Sequence, residues 1–144
     1  MELFHTSPVE ITAIRTTGRF GEFLFFSSRI YSMSAGKTIA YKIELDDSDL
    51  IEAGQLFHHA EAVKLDSLVA EFAARYAVDI DTAEEIISER EQLDSNDSDD
   101  LWDVQLFTAR AAKILGYRGV AVADEQGTAY MIDMLDHEAE LVLV

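Results

Sequence analysis

The 144-residue chain contains no cysteine and a single proline, Pro8, and its four histidines, His5, His58, His59 and His137, are scattered. The first absence excludes a disulfide framework and any thiolate metal site, and the histidine spacing lacks a zinc pattern. Basic residues are scarce, 11 Lys and Arg against 28 Asp and Glu, giving a formal net charge of −17 and a sequence pI near 4.3. A surface of that sign repels nucleic acid and has few cations to replace its counterions, which argues against direct DNA or RNA binding. The same field favours a basic partner, typically a protein that itself binds nucleic acid, although solubility alone also accounts for it. No run approaches the ~20 apolar residues of a membrane-spanning helix, and the N-terminus lacks the basic-then-apolar layout of a secretion signal. The expectation is a cytoplasmic protein.

What is present is a core: 49% of the residues are hydrophobic, enough for one compact domain, and residues 1–144 read as that single domain. Residues 2–5 open as a strand, and Pro8 forces Ser7 into an extended or turn conformation. Gly18 and Gly21 bracket a turn from which an aromatic-rich strand, residues 23–27, emerges, followed by a helical turn over 28–33 that Gly36 closes. Ile39, Tyr41, Ile43 and Leu45 alternate with Ala40, Lys42 and Glu44, the period of a half-buried strand, which Asp46, Asp47 and Asp49 end. The period then changes. Leu65, Leu68, Val69, Phe72 and Tyr76 recur at helical spacing on one face. A second helix starts with Asp81 as N-cap and Glu84 in a capping box. After an acidic loop at 95–100, Val104, Phe107, Ala111, Ile114 and Leu115 form a third helix that Gly116 stops. Strands return at 119–123 and 128–132, joined by a tight hairpin through Asp124-Glu125-Gln126-Gly127, with 141–144 as an edge strand. His58 and His59 read as a surface loop. Strands, then helices, then strands predict an α+β fold instead of the alternation of a parallel βαβ protein.

Leu3-Phe4-His5-Thr6-Ser7 resembles the strand that carries the NAD-binding histidine in diphtheria-toxin-like and poly(ADP-ribose) polymerase-like ADP-ribosyltransferases, with His5 in the place of that histidine. Phe20-Gly21-Glu22-Phe23-Leu24-Phe25-Phe26-Ser27 resembles the family's phenylalanine-glycine turn running into an aromatic strand. Tyr31 falls where a short helix presents the nicotinamide-stacking tyrosine, and Leu115-Gly116-Tyr117-Arg118-Gly119-Val120 is similar to the turn feeding the closing hairpin. A narrower likeness is to the phage-encoded anti-CRISPR ADP-ribosyltransferases that disable type I-F Cascade. It rests on His5-Thr6-Ser7-Pro8-Val9-Glu10, Gly18-Arg19-Phe20-Gly21-Glu22-Phe23-Leu24 and Asp124-Glu125-Gln126-Gly127-Thr128. Residues 60–98 match no general transferase motif.

The resemblance implies a split sheet core of antiparallel strands with two to three inserted helices, and NAD as co-substrate. It also implies a cofactor site of His5, Thr6, Ser7, Phe20, Gly21, Phe25, Ser27 and Tyr31. Breaking the nicotinamide–ribose bond passes through an oxocarbenium-like state akin to that of glycoside hydrolysis, so positive charge develops on the ribose. A carboxylate fixed beside it stabilises that charge by several kcal/mol on the order quoted for preorganised electrostatics. The resemblance implies that Tyr31 and Phe25 flank the cationic nicotinamide, for roughly 0.5 to 2 kcal/mol per contact. By the same resemblance His5 would bond the adenosine ribose, and the main chain of Thr6 would clamp the nicotinamide amide.

Two positions depart from the pattern. Thr6 stands where many relatives carry glycine, and Ala129 stands before Tyr130 where polymerase-like members carry the catalytic glutamate. Asp124 is then the first candidate acid, Glu125 the second and Asp133 the third. The resemblance implies a mono-ADP-ribosyltransferase that modifies an asparagine in the part of Cascade that reads the protospacer-adjacent motif. Two other readings stay open: a non-enzymatic acidic DNA mimic that occupies Cascade stoichiometrically, and a transferase toxin with another protein target.

Overall fold

The computed structural model describes residues 1–7, 22–28, 39–95, 97–124, 127–135 and 137–144. The strands are β1 (Glu2–Ser7), β2 (Phe23–Phe26), β3 (Ile39–Glu44), β4 (Leu50–Glu52), β5 (Gly119–Asp124), β6 (Gly127–Asp133) and β7 (Val142–Leu143). The helices are α1 (Asp66–Tyr76), α2 (Ile80–Ile87) and α3 (Ser98–Ile114), with 3-10 turns at Asp47–Asp49, Ala53–His58, Ala62–Leu65 and Glu138–Glu140. The α+β expectation holds. The expected turn around residues 18–21 lies outside the described residues, as does the helical turn at 28–33 apart from Ser28.

Two sheets form, one in the order β1-β3-β7 and one in the order β2-β6-β5-β4. Side chains of the second sheet alternate between its faces, as the pleat requires. Phe23, Val120, Val122, Ala129 and Met131 pack with Phe72, Ile87 and Phe107 of the helices. Phe26 and Ile132, with Leu24 and Tyr130 beside them, pack instead with Leu3, Ile43 and Leu45 of the first sheet. The four-stranded sheet is thus the middle of three layers.

One pairing differs from the antiparallel expectation: β4 runs parallel to β5, Leu50 opposite Gly119 and Glu52 opposite Ala121. Parallel neighbours need a long crossover, and the three helices supply it. At three residues, β4 is too short to show a period, so the sequence pattern gives no sign of it. Gly119 accommodates this crowding, since a Cβ there would sit 2.7 Å from the Met131 carbonyl oxygen. Gly116 ends α3 as expected, at φ +94°.

Helix starts lie earlier than the sequence pattern places them. Asp79, not Asp81, caps α2, accepting from the Thr82 N–H at 2.7 Å, and that bond holds its carboxyl below the usual range. Asp97 caps α3 through the Asp99 N–H at 2.9 Å, so the helix starts at Ser98, three residues before the expected start at Leu101. The expected surface loop at His58 and His59 is in part a 3-10 turn: exposed His58 ends it and contacts Arg90, and half-buried His59 follows and meets the Tyr117 ring edge-on at 5.7 Å. Among the described residues no helix is long and apolar enough to cross a membrane.

Candidate active site

The two sheets meet at one isolated bridge, where Phe4 and Ser27 exchange main-chain hydrogen bonds of 2.8 Å in each direction. Main-chain groups of an antiparallel strand alternate between its two neighbours. Met1 exchanges bonds with Leu45 and is in register with Leu3 opposite Ile43 and His5 opposite Tyr41, so these residues face β3. Phe4 and Thr6 therefore turn their N–H and C=O towards β2. The next rung would join Thr6 to Phe25. Among the described residues that rung is absent, and the Phe25 carbonyl accepts from His5 Nδ1 at 2.6 Å. The imidazole bond stands beside the missing rung, and the strands fork there.

A carbonyl only accepts, so Nδ1 carries the proton and Nε2 of neutral His5 is an acceptor with no partner among the described residues. Burial lowers the His5 pKa below the ordinary imidazole value, outweighing the Phe25 carbonyl that favours the charged form. The ring leans on Phe26 at 5.5 Å. His5 is thus a neutral acceptor at the fork, beside a threonine whose peptide groups face the gap. A carboxamide offers one NH2 donor and one carbonyl acceptor, which are complementary to those groups. This part of the fold suits the amide and hydroxyl groups of a dinucleotide.

The fork brings together His5, Thr6, Phe25 and Ser27. Phe25 is partly buried against the helix-side core, and Ser27 holds the bridge with its main chain. Ser7 ends β1 opposite Ile39. Phe20, Gly21, Tyr31 and Glu125 lie outside the described residues.

Asp124 is the last residue of β5, opposite Gly127, which has φ +124°. Following the registers across β2, β6 and β5, the Phe4–Ser27 bridge is level with Ala129 and Val122. Asp124 stands two residues past that level in one direction, and Thr6 stands two past it in the other. They are not on one rung. Ala129, in the family's glutamate position, is buried and faces the helices, where an ionised carboxylate would meet an apolar core.

Asp133, the third candidate acid, is buried at the opposite end of β6. It pairs with Lys113 at 3.2 Å and accepts from the Leu135 N–H. Lys113 also bonds Glu22 at 3.0 Å. Burial opposes the Lys113 ammonium, yet Glu22 and Asp133 together hold its pKa above the ordinary value. This clamp ties α3 to the start of β2 and the end of β6. No sequence motif announces it, because Lys113 and Glu22 are 91 residues apart.

Over residues 1–138 the chain matches the family model described as Anti-CRISPR Type I-F ADP-ribosyltransferase AcrIF11. The chain belongs to that family. It is also similar to a solved structure described as the crystal structure of an anti-CRISPR protein, with 28% sequence identity and a TM-score of 0.56 over 92% of this chain and 88% of the other. No curated protein matches it significantly. Membership of this anti-CRISPR ADP-ribosyltransferase family makes the protein an NAD-dependent mono-ADP-ribosyltransferase directed at a CRISPR-associated partner, with NAD implied as the co-substrate.

Proposed function

We propose that this enzyme transfers ADP-ribose from NAD to an asparagine in the part of the type I-F Cascade complex that reads the protospacer-adjacent motif. The observation that carries the reading of the site is the fork, where the Thr6 peptide groups face the gap beside a neutral His5. In this reading Thr6 clamps the nicotinamide amide through its main chain, and His5 Nε2 accepts from a ribose hydroxyl. Ser7, Phe20, Gly21, Phe25, Ser27 and Tyr31 complete the dinucleotide site, with Tyr31 and Phe25 against the nicotinamide ring. The bond from the ribose C1′ to the ring nitrogen breaks, and nicotinamide leaves with the bonding pair. The acceptor nitrogen then bonds C1′ and gives up a proton to solvent water. Asp124, with Glu125 as the alternative, stabilises the positive charge on the ribose between these events. A bulky dianion added to a surface that contacts DNA repels phosphates and blocks the groove.

The test is incubation of the protein at substoichiometric ratio with purified type I-F Cascade, with and without NAD, followed by intact-mass analysis of each subunit. One added ADP-ribosyl unit on one subunit, only with NAD, is expected. Asp124→Ala should reduce transfer on the order of a hundredfold to a thousandfold, the scale of losing a preorganised charge-stabilising group. Transfer that survives Asp124→Ala moves the acid to Glu125. Inhibition that needs one inhibitor per Cascade and ignores NAD replaces this reading with the DNA mimic, which the charge of −17 favours.

A further inference from the structure

The turn that follows α2 holds a residue whose backbone and side chain both call for a reason. Ser88 caps the helix, and Glu89 then adopts φ +64°, the left-handed region that favours glycine. A side chain there carries local backbone strain. The conformation sends the Glu89 carboxylate across 34 residues of sequence to the Ala123 N–H, which donates to both of its oxygens at 3.2 Å.

Among the described strands that N–H has no ladder partner. Asp124 pairs with Gly127 at the hairpin end, so alternation turns the Ala123 main chain away from β6, towards the edge where β4 lies. But β4 stops at Glu52, opposite Ala121, and leaves Ala123 beyond its end. The Glu89 carboxylate takes the place of the missing strand. It borders a cavity of about 300 Å³ whose other walls include Glu52, Gly54, Val122 and Thr128. Although Glu89 as a residue is exposed, partial desolvation of its carboxyl against β5 raises its pKa, and the Ala123 bond only partly offsets this.

The residue after Ala123 is Asp124. We infer that Glu89 is a positioning residue for the transfer reaction: by bonding the last free-edge peptide of β5 it fixes the strand end from which Asp124 acts. This rests on the assignment of Asp124 as the acid. A displacement of about 1 Å at a reacting group is enough to cost up to a hundredfold in rate, so a loosened strand end is felt in turnover and not in NAD affinity.

The test compares wild type, Glu89→Ala, Glu89→Gln and Asp124→Ala as full-length proteins, each incubated with NAD and purified type I-F Cascade. Nicotinamide release gives kcat and the KM for NAD, and amide hydrogen exchange is followed at Ala123. The inference expects Glu89→Ala to lower kcat about tenfold, with KM within about twofold of wild type and faster exchange at Ala123. Glu89→Gln keeps an acceptor oxygen and should restore kcat and slow exchange. A wild-type kcat in Glu89→Ala overturns the inference, and so does a kcat loss that Glu89→Gln shares while Ala123 exchange stays slow. Should Glu89→Ala fail to fold, Glu89→Gly, which relieves the left-handed strain but also lacks the carboxylate, is judged by the same two readouts. Full turnover in Asp124→Ala sinks the assignment of the acid itself, whatever Glu89 does.

Discussion

Residues 44–103, which run from the end of β3 into α3, hold 19 acidic and 3 basic side chains, a formal −16, whereas the other 84 residues hold 9 and 8, a formal −1. The acidic segment supplies β4, α1, α2 and the first turn of α3; the near-neutral remainder supplies every other strand, the fork and the hairpin. Most of the charge and the proposed dinucleotide site therefore lie on different parts of the chain. Residues 1–43, which carry the NAD resemblance, hold 5 basic and 3 acidic residues and are the only part with an excess of positive charge. The separation has a physical use. A dinucleotide brings a pyrophosphate, which a field of −16 would repel, while a basic protein target is drawn to that same field.

The largest expected effect tests whether the two regions are one structure. Phe72 of α1 is fully buried and meets Phe107 edge-on at 5.0 Å, in a core shared with Val120 and Met131 of the middle sheet. Phe72→Ala should cost about 3–5 kcal/mol, and denaturant melts followed by far-UV dichroism and by tyrosine fluorescence should move together. Helices that melt first, leaving sheets that still bind NAD, would make the acidic segment a separate unit and refute the single domain read from the sequence.

A smaller effect tests the division of labour. Asp66 and Asp81 are exposed, and together with Glu85 they crowd Glu84, whose carboxyl is raised first by desolvation and then by these neighbours. Reversing both, Asp66→Lys with Asp81→Lys, should slow ADP-ribosylation of Cascade about tenfold at low salt, with the difference fading at high salt, and leave the KM for NAD unchanged. A changed KM for NAD would show that the acidic segment reaches the cofactor site after all.

The sequence showed these two regions unevenly. Alternation at Ile39, Tyr41, Ile43 and Leu45 predicts β3 because a half-buried strand imposes a period of two, and Leu65 to Tyr76 predicts α1 because one face of it is buried. A three-residue strand such as β4 imposes no period, and its parallel pairing depends on a crossover of more than 60 residues. Asp79 and Asp81 are equally good caps by type, and only the bond to Thr82 separates them. At the site, the residue types were legible and the roles were not. His5 stands out as a histidine on a first strand, but that its Nδ1 donates to the Phe25 carbonyl is a relation across 20 residues. Glu89 carried no signal, since neither its backbone conformation nor its reach to Ala123 is written in local spacing.

The smallest expected effect concerns one of the three cations within the acidic segment. Arg75 pairs with Asp103 at 2.6 Å, joining α1 to α3, and its guanidinium lies 5.4 Å from the centre of the Tyr76 ring. Its side chain is 53% exposed, so the Coulomb attraction is screened by water and opposed by the entropy of holding a long side chain in place. Arg75→Ala should therefore change stability by less than about 0.5 kcal/mol in a denaturant melt. Tyr76 still donates to Asp103 at 3.4 Å, so the carboxylate is not left without a partner. A loss above about 1 kcal/mol would mean that ion pairs hold the helices against their own repulsion. The charge would then be a cost that the fold has to offset, and its separation from the fork would serve the structure before the partner.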